Sequence, residues 1–190
     1  MYRAYRETEI RRTRAIAPIG RFLRDRCGLA AVEFALILPV MLTFYFGGVE
    51  ITNMLVANRR VTSVAYTAAD LAAQAAAISN GDMTDIFAAS SAILEPFSIS
   101  PLTVRITSVV ANASNQPKVA WSDGYQIGAR SVGSAMTLPA GLTTPGSSVI
   151  VTEVTYAYSS PISQIVKNTI GFSETAYLKP RRAVQVSRVN

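Results

Sequence analysis

No histidine occurs anywhere in the 190 residues. That removes the commonest general base, the commonest metal ligand and every Ser-His or Cys-His nucleophilic pair. Cysteine is limited to Cys27, so no intrachain disulfide can form and packing alone must hold the fold. Acidic residues are outnumbered twelve to eighteen, but the imbalance is local. Residues 1–28 carry eight arginines against Glu7, Glu9 and Asp25, a net charge of +5, while the remainder has ten basic and nine acidic residues, or +1. The basicity belongs to one tail, and no nucleic-acid partner is expected. No catalytic constellation and no cofactor-binding motif stands out. Asp82 and Asp85 beside Gly81 fall far short of a calcium loop. The chain reads as a non-enzyme, with no cofactor and no metal.

What the chain does have is an apolar run from Leu29 to Val49, broken only by Glu33 and Thr43. About 20 apolar residues rising ~1.5 Å each suffice to cross a bilayer core. The arginines before it place residues 1–28 in the cytoplasm and everything after Glu50 outside, by the positive-inside rule. A twin-arginine signal would set the run closely after Arg11-Arg12. A lipoprotein would carry its cysteine after the run, whereas Cys27 precedes it. A cleaved secretory signal has an apolar core of about 7–15 residues ending in a small-x-small site, and this run is longer. A plain uncleaved single-span anchor fits both length and flanks, but it leaves Glu33 unexplained.

A carboxylate in hydrocarbon costs about 2.5–3.5 kcal/mol at a helix centre and less near an end, and it normally has a partner. A cut after Gly28 would create an ammonium on Leu29, one helical turn from Glu33, in the same or a neighbouring subunit. The helix N-terminus also favours a nearby anion. The same cut would remove the +5 leader. Pro39, inside the run, removes an intrahelical bond and marks a kink or soft point.

A basic leader ending in glycine, then glutamate at the fifth mature position, is the arrangement of type IV prepilins and pseudopilins. Here it is Arg26-Cys27-Gly28, then Leu29-Ala30-Ala31-Val32-Glu33. The stretch Ala30–Ile51 (AAVEFALILPVMLTFYFGGVEI) resembles the TadE/TadG-like proteins of the tight-adherence (Tad, Flp-type) pilus system. Val132–Leu142 and Ser148–Tyr158 extend the likeness in the same order. The resemblance implies a minor pilin or pseudopilin cut between Gly28 and Leu29 by a prepilin peptidase, with Glu33 pairing to the new amine during assembly. It implies a single-pass protein of the bacterial inner membrane with a periplasmic head. The partners it implies are the prepilin peptidase, assembly-platform proteins and other pilus subunits, including a second pseudopilin in a hetero-oligomer. Leu29 stands where many mature pilins begin with phenylalanine, so N-methylation is not implied. The alternative is an uncleaved, signal-anchored envelope protein with a periplasmic binding head.

The rest of the chain reads as α+β. The expected organisation is a leader over residues 1–28, a span over 29–50, an amphipathic continuation of the same helix over 51–80, and a head over 81–190. Val61, Val64, Ala68, Leu71, Ala75 and Ile78 recur at helical steps, with Arg59, Arg60 and Asp70 off that stripe, so the helix is expected to reach Ile78. A short second helix is expected over Met83–Leu94, capped by Asp82 or Thr84 and closed by Pro96. Period-two patterning then predicts antiparallel strands at Thr103–Val110, Lys118–Trp121, Val149–Tyr158, Phe172–Leu178 and Ala183–Val189. Val119 and Trp121 are expected on one face, as are Val184 and Val186. The Gly- and Pro-rich stretch Asp123–Ser147 reads as loop, and Ser159-Ser160-Pro161 as a turn.

Overall fold

A computed structural model describes residues 27–160 and 169–189. The basic leader over 1–26 and Pro161 of the expected turn lie outside the described residues. The elements in order are α1 (Cys27–Gln74), β1 (Ala77–Ile78), α2 (Asn80–Ala92), β2 (Leu102–Ala111), β3 (Pro117–Tyr125), β4 (Ser148–Tyr158), β5 (Ile170–Leu178) and β6 (Ser187–Arg188). The architecture is α+β, as the patterning implies. The chain separates into two compact units, one ending at Val49 and one beginning at Glu50.

The second unit, the head, is a four-stranded antiparallel sheet in the order β3-β2-β4-β5, with the C-terminal part of α1 packed on one face. That part of α1 is alanine-rich for a physical reason. Ala57, Ala65, Ala68, Ala69, Ala72 and Ala73 are all fully buried, together with Val61 and Val64. Small side chains bury little area each, but they let the helix backbone come close to the sheet. Facing them are Leu102, Val104 and Ile106 from β2, Ile150, Val154, Tyr156 and Tyr158 from β4, and Ala176 from β5. Even-numbered residues of β4 thus face the helix, and Glu153 faces away. A smaller cluster on the opposite face joins Val109, Val149 and Val151, covered by Met136, Leu138 and Leu142 from the loop before β4.

The helix ends earlier than its apolar stripe suggests. It stops at Gln74, and Ala77–Ile78 is a strand paired in parallel with Ser187–Arg188. The C-terminal segment takes up Ala73 O, which another helical turn would have used, and the carbonyls beyond it. The Arg181 amide donates to Ala73 O, the Ser187 amide to Ala76 O, and the Arg188 guanidinium to Ile78 O. Arg188 also grips Asp123 through two bonds of 3.0 and 3.2 Å and Asn80 at 2.6 Å. The bond to Asp123 holds the Arg188 pKa above its ordinary value. This anchoring restricts the expected last strand to two residues and splits its valines. Val186 is buried where Trp121 Nε1 donates to its carbonyl at 2.7 Å, and Val184 is 75 % exposed.

Two further expectations are corrected. The N-cap of α2 is Ser79, not Asp82 or Thr84. Asp82 instead closes a capping box, its Oδ2 accepting from the Ser79 amide at 2.8 Å and hydroxyl at 2.7 Å. The Ser79 hydroxyl bond is the main reason the Asp82 carboxyl lies below its ordinary range. Val119 and Trp121 do not share a face. A register shift sets Trp121 opposite Ser108 but Val119 opposite Val109, so Ala120 is a bulge and alternation is broken between them. β3 also runs on to Tyr125, past the expected start of the loop. Its last turn requires glycine at 124, because a Cβ there would lie 2.0 Å from the Ile127 carbonyl oxygen.

Candidate functional site

The described part of the first unit is the N-terminal part of α1. Leucine, alanine and methionine lose little on entering a helix, so residues 29–49 form one despite Pro39. Every side chain from Gly28 to Val49 is exposed, including Leu29 at 72 %, Leu36 at 73 % and Phe44 at 79 %. A helix that is apolar all round belongs in a protein core or in lipid, and here no core among the described residues covers it. By length and composition it can cross a membrane.

Gly28, Leu29 and Glu33 all lie at the start of this helix and all are exposed. Leu29 and Glu33 are four residues apart, on one helical face. The Gly28–Leu29 bond lies among the first described residues of α1. A Cβ on Gly28 would meet nothing within 4 Å. The helix continues through Pro39. The Thr43 hydroxyl donates to Pro39 O at 2.8 Å, a local back-bond of the kind that often bends a helix.

The carboxylate that ends the apolar run, Glu50, sits differently. It is half-buried, and Oε1 accepts from the Tyr158 hydroxyl at 3.0 Å. Its second oxygen is shielded and has no hydrogen-bond partner among the described residues. Burial, reinforced by the Glu50 negative charge, pushes the Tyr158 hydroxyl up to about 12. Nothing in the local sequence distinguishes Glu50 from a solvated boundary residue. Only the return of β4 to the start of the head reveals the contact.

The remaining singled-out residues have structural roles. Trp121, Tyr156 and Tyr158 are buried and Tyr125 packs against the same core, so these aromatics build the head and do not form an exposed patch. Asp82 is engaged in capping α2. Among the described residues no three His, Cys, Asp or Glu side chains are grouped closely enough to hold a metal. On the helix-free face of the sheet, Arg130 and Arg105 converge on Glu153 at 2.6 and 3.3 Å. Burial raises the Glu153 carboxyl, but the two guanidinia outweigh it and the net shift is downward.

Residues 28–70 match the family model described as TadE-like protein. The match takes in Gly28, Leu29, Glu33, Pro39 and Glu50 and stops short of the sheet, so the likeness of Val132–Leu142 and Ser148–Tyr158 lies outside it. No curated protein and no solved structure matches the chain.

Proposed function

We propose that this chain, TadE-like over residues 28–70, is a minor pilin or pseudopilin that serves assembly of a Tad-type pilus, and not an enzyme. The observation that carries the reading is the exposed apolar helix with Glu33 one turn beyond the Gly28–Leu29 bond. Residues 29–50 hold the subunit in the inner membrane, with residues 1–28 cytoplasmic and the head periplasmic. A prepilin peptidase cuts after Gly28. The cut removes the +5 leader, and the new Leu29 ammonium pairs with Glu33 of the same or an adjacent subunit. That pairing lets a carboxylate rest in an apolar surrounding during assembly. The partners are the peptidase, the assembly platform and other pilus subunits, a second pseudopilin among them. Pro39 gives the span a point of adjustment on packing.

Mass spectrometry of the membrane-extracted protein from a host with the cognate peptidase tests the cut. A mature chain beginning at Leu29 is expected. A chain still beginning at Met1 refutes processing and leaves the signal-anchored envelope protein as the reading. Glu33→Ala should insert normally and impair pilus production, whereas unchanged piliation removes the pairing role.

A further inference from the structure

The two ends of the head sheet carry complementary features. At one end a groove of about 570 Å³ opens between the β2–β3 turn and residues 135–143. Its larger apolar lining residues are Pro117, Met136, Leu138 and Pro139, and among the described residues its one charged side chain is Lys118. The groove is built by backbone bonds. Residues 133–136 add to the edge of β3 through Val119 N to Ser134 O at 2.9 Å and Met136 N to Pro117 O at 3.2 Å. The opposite wall is fixed by Asn112 Oδ1, which accepts from the Ser114 and Gln116 amides at 2.9 and 2.8 Å. Lys118 is exposed and has no ionic partner among the described residues.

At the other end, the segment before β2 presents Glu95 and Ile99, while Phe97 turns inward and packs edge-to-face on Tyr158. Glu95 is exposed and likewise has no ionic partner among the described residues, and Ile99 is 41 % exposed. This loop is held in place, since Ile99 O accepts from the Leu102 amide at 3.1 Å and from Gln126 Nε2 at 3.0 Å. The ten residues of β2 separate it from the groove, roughly 30 Å at ~3.3 Å per residue. Asp85, another exposed acid, stands on α2 with no large apolar side chain exposed on that helix. An apolar groove with one cation, and a loop that offers the exposed Ile99 beside one anion at the opposite end of the same sheet, have the pattern of a head-to-tail contact.

We infer that the groove beside Lys118 receives the Glu95–Ile99 loop of a second copy of this chain. Such a contact uses two different surfaces, so it propagates into a row or ring of heads instead of closing into a two-fold dimer. The salt bridge, solvent-exposed, steers and registers the contact, and the apolar side chains supply most of the attraction. The contact does not depend on processing at Gly28, and its failure would leave the mature N-terminus as an independent readout.

The full chain in native membranes, on a Cys27→Ser background, provides the test. Lys118→Cys and Glu95→Cys variants are oxidised separately and as a mixture. A cross-linked dimer in the mixture alone, and a ladder from the double variant, are expected. Charge reversal by Lys118→Glu should weaken self-association about two- to fivefold, with recovery when Glu95→Lys is added to the same chain. Both sites are exposed, and Trp121 fluorescence verifies that the variants are folded. No mixed cross-link, equal cross-linking of either single variant with itself, or capture of a different protein by the Lys118→Cys variant in place of the copy would each overturn the inference.

Discussion

Replacing Ala68 by leucine examines the packing on which the head depends. Ala68 is fully buried, and its helical neighbours Ala65, Ala69 and Ala72 are equally enclosed. Leucine adds three carbon atoms where the helix lies against the sheet. Overpacking of this kind costs typically 1–3 kcal/mol. For a domain of about 140 residues each kcal/mol lowers Tm by ~2–4 °C, so the expected drop is roughly 2–12 °C. Ala68→Gly acts on the same site without adding volume and should cost about 1 kcal/mol through helix propensity. Tyr66→Leu is the control: Tyr66 is 52 % exposed on the same helix, and its replacement should stay within ~0.5 kcal/mol. The chain has one tryptophan, Trp121, which is 6 % exposed in the core and reports unfolding directly. Urea titration of the full chain in detergent micelles, followed by its fluorescence, gives all three values. If Ala68→Leu unfolds at the parent midpoint, the close approach of helix and sheet is wrong.

Arg188→Ala removes bonds to Asp123, Asn80 and Ile78 O at once and should cost about 1.5–3 kcal/mol, with loss of amide protection at Ile78 and Val189; an unchanged midpoint would show that the C-terminal strand is not an anchor. Tyr158 is raised in the folded state from 10.0 to about 12, so its contribution is complete below pH 10 and is lost as pH rises toward 12. Tyr158→Phe should reduce the alkaline slope of stability measured by circular dichroism, leaving the part due to Tyr156, whose hydroxyl burial also raises. Glu153 has the opposite sign. Its carboxyl lies below the ordinary 4.5, so its contribution is present above that pH and lost as pH falls through the folded value. Glu153→Gln should therefore flatten acid unfolding below pH 4.5, and an unaltered acid limb would refute the role of the two arginines.

Local pattern alone determined a good part of this protein. The apolar run with Glu33 near its start, the helical stripe at Val61, Val64 and Ala68, and the period-two strand Val149–Tyr158 are all local signals within one element. Each such signal needs only neighbours a turn or two apart. Tertiary structure decided the rest. Helix α1 ends at Gln74 because a segment 110 positions away along the chain, around Arg188, takes up the carbonyls that follow. The bulge at Ala120 arises from pairing with β2, so period two in β3 pointed Val119 to the wrong face. The Glu50–Tyr158 bond and the groove beside Lys118 likewise join residues far apart in sequence, and no spacing rule reaches them. The physical reason is that periodicity records which face of an element is apolar. Which element covers that face, and where a distant segment competes for its backbone, is settled only once the loops have closed.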